Sequence, residues 1–123
     1  MGRTALALST EEWRAYHPGL QPDESAARVR WEKAWKVAQM AAQLLRERFG
    51  ATRVVAFGSL THRAWFTSWS DIDLAAWGIP PDTFYRAVAL VTGLSPEFEV
   101  DLVAVEDCRA ALQQVIAREG IEL

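Results

Sequence analysis

Hydrophobic positions along the chain follow two rhythms, and the switch between them predicts the order of elements. From Pro22 to Phe49 the apolar residues Trp31, Ala34, Trp35, Ala38, Ala41, Ala42, Leu45 and Phe49 recur every three or four positions. Arg28, Arg30, Lys33, Lys36, Arg46 and Arg48 lie largely off that stripe. This is the spacing of one apolar helix face. Pro22, Asp23 and Glu24 suit the first turn, where φ is fixed and the helix end is positive, and Gly50 suits the stop. The stripe is core first. Its length leaves the early turns around Trp31 and Trp35 as a candidate contact for another chain, with burial inside the domain the expected role.

Beyond Gly50 the period shortens. Thr52 to Phe57 and Ile72 to Trp77 are short apolar runs expected as strands. From Glu97 to Val105 the chain alternates, with Phe98, Val100 and Leu102 on one side and Glu97, Glu99 and Asp101 on the other, which predicts a third strand. Leu60 to Phe66 is expected as a short helix. Gly78-Ile79-Pro80-Pro81-Asp82 ends the second strand and opens a helix to about Thr92, with Phe84, Val88 and Val91 facing the core. Asp107 is expected to cap a last helix through Ala110, Leu112, Val115 and Ile116, closed by Gly120. Ile121-Glu122-Leu123 is too short for an assignment. Ahead of all this, Ser9-Thr10-Glu11-Glu12 reads as a capping box for a short helix that Pro18-Gly19 ends. The division expected is an N-terminal extension at residues 1–21 and one domain at 22–123.

Helix, strand, turn, strand, helix, strand, helix is the order of an α/β (α+β) domain with a small mixed sheet flanked by helices. A chain of 123 residues, half of them apolar, builds such a core without staples. A formal charge of −3 provides no general basic field, so nucleic acid is not an expected partner. The single cysteine, Cys108, excludes an intrachain disulfide and a Cys-rich metal site, and its expected role is packing in a helix. The first residues are too short an apolar stretch for a signal peptide, and no run approaches the ~18 apolar residues of a membrane span. A cytoplasmic location is expected.

The candidate chemistry lies where the first strand meets the second. Phe57 is followed by Gly58-Ser59, and the second strand opens with Asp71-Ile72-Asp73-Leu74. On a strand Asp71 and Asp73 share one side, about 6–7 Å apart, while Ile72 and Leu74 face the core. Such carboxylates repel, which raises the pKa of one of them unless a cation intervenes. Hard oxygen ligands favour Mg²⁺, which takes one or two protein carboxylates and completes its shell with water and substrate phosphates. Gly58 lets the backbone approach a phosphate, the following amides can point at an anion, and Ser59 adds a hydroxyl.

Gly58-Ser59 followed by Asp71-Ile72-Asp73-Leu74 resembles the signature of the DNA polymerase β-like nucleotidyltransferases, in the minimal single-domain branch whose members serve as antitoxin partners of HEPN-domain toxins. The resemblance covers roughly residues 25 to 120. Eleven residues separate Ser59 from Asp71, one more than in many minimal members, and Leu60-Thr61-His62-Arg63 stands where those members often read Ala-Arg-Gly. The resemblance implies a third acidic residue on the third strand, a position Asp101 matches, with Glu99 as the fallback. It implies two Mg²⁺ ions (Mn²⁺ as a substitute) held by Asp71, Asp73 and Asp101. ATP would be bound through Gly58, Ser59, Arg63 and Ser70. The implied activity is transfer of AMP to a hydroxyl of a protein acceptor, the HEPN-domain toxin.

Plainer roles stand beside each of these. Asp71 suits a turn before a strand, Gly58 a strand-to-helix turn and Ser59 a helix cap. His62 and Arg63 have exposure in a loop as the default, and Arg63 is the better phosphate partner because its guanidinium is always charged. Trp65, Phe66 and Trp69 are expected to pack over the sheet edge, with base stacking as the alternative. Two other functions compete: a non-catalytic module that neutralises its partner by covering it, and transfer to a small molecule of the aminoglycoside type, which calls for an acceptor domain or a homo-oligomer to supply one.

Overall fold

A computed structural model of the chain describes residues 24–123. The extension at residues 1–21, with its Ser9–Glu12 box, lies outside the described residues, as do Pro22 and Asp23. Helix α1 runs from Glu24 to Phe49 and ends at Gly50, whose φ of 71° is a left-handed conformation that glycine adopts freely. Strand β1 is Arg53–Phe57 and β2 is Ile72–Trp77. Helix α2, Pro81–Thr92, starts with proline in its first turn. Strand β3 is Val100–Ala104, helix α3 is Ala110–Glu119 and β4 is Ile121–Glu122.

The four strands lie in the order β3-β2-β1-β4. β1 is antiparallel to β2 and to β4, whereas β2 and β3 are parallel. A parallel pair needs a crossover connection, and α2 supplies it. Helices cover both faces. On one, the alanines and leucine of α1 (Ala34, Ala38, Ala41, Ala42, Leu45) meet Val54, Ala56, Ile72, Leu74, Val100 and Leu102, joined by Ala87 and Val91 of α2. Small side chains let the helix approach the sheet closely. On the other, α3 brings Ile116 and Leu112 against Val55, Ala75 and Val103, with Val105 beside them. Among the described residues no helix is long and apolar enough to cross a membrane.

Several expectations are corrected. Leu60 to Phe66 forms two 3₁₀ turns, Gly58–Thr61 and Arg63–Trp65, because His62 between them is extended at φ −127°, ψ 98°. The third strand starts at Val100, since Glu97 to Glu99 are held as a loop. Asp107 caps nothing: it ends a 3₁₀ turn, Val105–Asp107, and α3 begins after Arg109 with no side-chain cap. Cys108 lies between the two, outside any helix, its thiol donating to the Ala104 carbonyl at 3.2 Å. Of the three C-terminal residues, Ile121 and Glu122 take a strand role, because β1 has an open edge that they pair with. Arg53 and Glu122 form an ion pair across that edge. Trp31 and Trp35 take the burial expected of them rather than the alternative of protruding. They pack half-buried on the core, edge to face at 6.0 Å.

Candidate functional site

The two cores alternate along β1, β2 and β3, and that alternation places the acids. Ile72 and Leu74 are fully buried on the α1 face. Asp73 therefore turns to the α3 face, in line with Ala75. Its partner across the parallel pair is Asp101, and across the antiparallel pair Phe57. Helix α3 packs over the Ala75–Val103–Val55 part of this face, and the Asp73–Asp101 end lies beyond it, with Asp73 half-buried and Asp101 exposed. Asp71, just ahead of β2, is half-buried as well.

The three carboxylates feel one another. Asp73 is pushed up to about 6, first by burial and then by the charges of Asp101 and Asp71. Asp71 is raised too, by burial, by the charge of Asp101 and by a side-chain hydrogen bond with it. Asp101 is thus the third acid of the cluster. Asp101, not its fallback Glu99, is the charge common to both shifts; the backbone carbonyl of Glu99 accepts from the Ile72 amide at 2.9 Å. Among the described residues no three acidic, histidine or cysteine side chains form a ready-made metal cage. A face that offers one or two carboxylates and leaves the remaining positions to water and phosphate is the kind of donor set Mg²⁺ takes.

Gly58 closes the other side. Its φ is 74°, and a Cβ placed there would stand 2.5 Å from Asp73 Oδ2. The turn is thus glycine for two reasons, a left-handed backbone and a carboxylate lying directly against the α-carbon. Ser59 does not cap the turn, whose N-cap position is Phe57 with no side-chain bond. Instead Thr61 Oγ1 donates to the Gly58 carbonyl at 2.8 Å, and Trp31 Nε1 donates to the Leu60 carbonyl at 3.0 Å.

The remaining predicted residues are spread along the connection. Arg63 is exposed at the start of the second 3₁₀ turn. Ser70 is engaged in a local turn: its hydroxyl accepts from the Thr67 amide at 2.9 Å, and Thr67 Oγ1 accepts from the Trp69 amide at 3.2 Å. His62 stacks on Trp65 at 4.0 Å, with Nε2 3.6 Å from Glu119 Oε1. Of the three aromatic residues expected to pack, only Phe66 joins the core, while Trp65 and Trp69 are 62% and 69% exposed. Sequence reasoning passed over Arg30 as a functional residue and treated Trp31 as part of an apolar stripe or a candidate contact for another chain, not as a partner of the Gly58–Thr61 turn. Nothing local signals their contacts, which reach 29 to 67 residues along the chain.

No family model matches the chain, and no curated protein does. Solved structures do. A crystal structure of a toxin-antitoxin with AMP-PNP aligns over 69% of this chain and 70% of its own, with a TM-score of 0.58 and 20% identity. A crystal structure of the toxin-antitoxin MntA-HepT aligns over 72% and 69%, with a TM-score of 0.54 and 18% identity. A variant of that pair with two aspartates changed to glutamate gives a TM-score of 0.55 at 20% identity. At such identities the shared property is the fold.

Proposed function

We propose that this chain is a metal-dependent nucleotidyltransferase that moves AMP from ATP to a hydroxyl of a protein acceptor, and that it acts as the antitoxin of a HEPN-domain toxin. The observation that carries the reading is the junction of Gly58 with Asp73 opposite Asp101, because a fold gains nothing from packing a glycine turn against mutually repelling carboxylates. The structural neighbours support the nucleotide and the partner. One holds AMP-PNP, a nucleoside triphosphate analogue, and the others are toxin-antitoxin pairs. Another carries changes at two aspartates spaced as Asp71 and Asp73 are. The HEPN class of the partner follows from the sequence resemblance.

In this reading the Gly58–Thr61 turn admits the triphosphate against backbone amides, with Ser59 and Arg63 as polar partners. Asp71 and Asp73 would hold two Mg²⁺ ions, and Asp101 would be a ligand of the second and take the proton of the acceptor hydroxyl as that oxygen attacks the α-phosphorus and pyrophosphate leaves. Mg²⁺ bound there supplies a clamp for the phosphates and acidifies the acceptor hydroxyl. Labelled ATP, Mg²⁺ and a HEPN-domain toxin, sought as the product of the adjacent gene, provide the test. Label should reach the toxin with the wild-type chain and not with Asp71→Asn/Asp73→Asn. An unlabelled toxin, or undiminished labelling by the double variant, refutes the proposal.

The exposed Trp65 and Trp69 favour a second reading, in which the chain neutralises its partner by covering it. Cells protected from the toxin by Asp71→Asn/Asp73→Asn as well as by wild type would establish that reading over the first.

A further inference from the structure

One turn of α1 reaches three points on two connections. Arg30 Nη2 donates to the Ser68 carbonyl at 3.0 Å and to the Glu97 carbonyl at 3.4 Å. Its guanidinium lies 4.5 Å above the ring of Phe98, which is buried and 6.2 Å from Phe66. The next residue, Trp31, bonds the Leu60 carbonyl. Ser68 stands three residues ahead of Asp71, Glu97 four ahead of Asp101, and Leu60 two after Gly58. We infer that Arg30 is a positioning residue: it ties the segment that delivers Asp71 and Asp73 to the segment that delivers Asp101, and so sets how the two acidic strands meet.

The chemistry suits the task. A planar guanidinium donates in fixed directions while its face rests on an aromatic ring, and a lysine ammonium cannot do both from one position. The arrangement is not the best one for Arg30 itself, since its Nε is buried without a hydrogen-bond partner among the described residues. Among the acids themselves the two segments are joined by the Ile72 amide, between Asp71 and Asp73, which donates to the Glu99 carbonyl. Arg30 spans the same two segments farther out. Its loss should loosen that join while leaving the rest of the sheet closed.

Amide exchange followed by NMR on the full chain reads this directly. In Arg30→Met, which keeps the stem on Phe98 but removes the donors, the Ile72 amide should exchange about tenfold faster, with the central β1–β2 ladder unchanged. Arg30→Lys should restore roughly half of that effect on a logarithmic scale. Arg28→Met, an exposed arginine on the same helix, should change nothing. Unchanged exchange at Ile72, or acceleration spread evenly over the sheet, overturns the inference. Should Arg30→Met fail to fold, Arg30→Lys carries the same test alone, with about threefold faster exchange at Ile72 as the expected result and no change as the refutation.

The consequence for catalysis rests on the proposed function. In AMP transfer Arg30→Met should lower kcat about tenfold at unchanged KM for ATP, because the Gly58–Thr61 turn is held by Trp31. The local exchange pattern together with no transfer by the wild-type chain would discard the catalytic reading and leave the positioning role standing.

Discussion

Replacing Gly58 by alanine separates two costs that the structure assigns to one position. Gly50 and Gly58 have nearly the same left-handed backbone, φ 71° and 74°, but a Cβ at Gly50 meets nothing within 4 Å, whereas at Gly58 it meets Asp73 Oδ2 at 2.5 Å. Gly50→Ala therefore measures the backbone penalty alone, about 1–2 kcal/mol. Gly58→Ala adds the crowding of a carboxylate, about 1–3 kcal/mol more. At about 4 °C per kcal/mol for a chain of this size, the melting temperature should fall by roughly 4–8 °C for Gly50→Ala and roughly 8–20 °C for Gly58→Ala. In an Asp73→Ala background the excess at Gly58 should vanish, since only the Asp73 Cβ, 3.5 Å from the added methyl, remains nearby. Thermal denaturation of the four single and double variants provides the cycle. If the carboxylate swings aside to relieve the clash, stability recovers but Mn²⁺ binding weakens. A Gly58→Ala protein that matches Gly50→Ala in stability and wild type in Mn²⁺ binding would refute the claim that glycine is there for Asp73.

Asp73 should also make stability depend on pH in an inverted sense. It titrates near 3.8 when unfolded and at about 6 when folded, so between those values the folded chain keeps a proton that the unfolded chain has lost. The Asp73 contribution is thus most favourable below about pH 4, declines as pH rises to about 6, and is level above that. Asp73→Asn should gain roughly 1–2 kcal/mol at about pH 7.5, after allowance for solvent screening, and nothing at about pH 4, as read by urea denaturation. Divalent cations should act oppositely to acid. Mg²⁺ or Mn²⁺ should raise the melting temperature by a few degrees at about pH 7.5, by less at about pH 4.5, and not at all in Asp71→Asn/Asp73→Asn; an equal shift in that variant would exclude these carboxylates as the ligands.

The parts of the fold that were legible in the sequence are those decided by short-range pattern. The stripe from Ala34 to Leu45 is buried as its spacing demands, and β2 has the limits that the run from Ile72 to Trp77 predicts. The opposed faces of Phe98, Val100, Leu102 and of Glu97, Glu99, Asp101 are the buried and exposed faces observed. Where context outweighs local pattern, the reading went astray. Ile121 and Glu122 have no strand signal of their own and become a strand because β1 presents unpaired backbone groups. Trp65 and Trp69 are apolar in type and exposed in fact, Trp65 at the end of the second 3₁₀ turn and Trp69 in the turn that follows. The acids were readable because a period of two puts Asp71 and Asp73 together. That Asp101 is their neighbour depends on the parallel register, which spacing alone does not set.

That register explains why the site survives its own repulsion. Asp73 and Asp101 are opposite one another in a ladder that also aligns Ile72 with Val100 and Leu74 with Leu102, four apolar residues buried against α1 and α2. Sliding one strand by one residue to part the carboxylates would turn that strand's two buried side chains, Ile72 and Leu74 or Val100 and Leu102, outward. Each such exposure costs about 1.5–3 kcal/mol, well above the roughly 1–2 kcal/mol of strain at Asp73. The large core therefore holds the acids together on the opposite face, where α3 leaves them uncovered. A fold selected for stability alone would relieve the conflict with one amide in place of Asp73, at no loss of packing. Under the proposed function, carboxylates at both positions give up stability at the place where a cation would recover it.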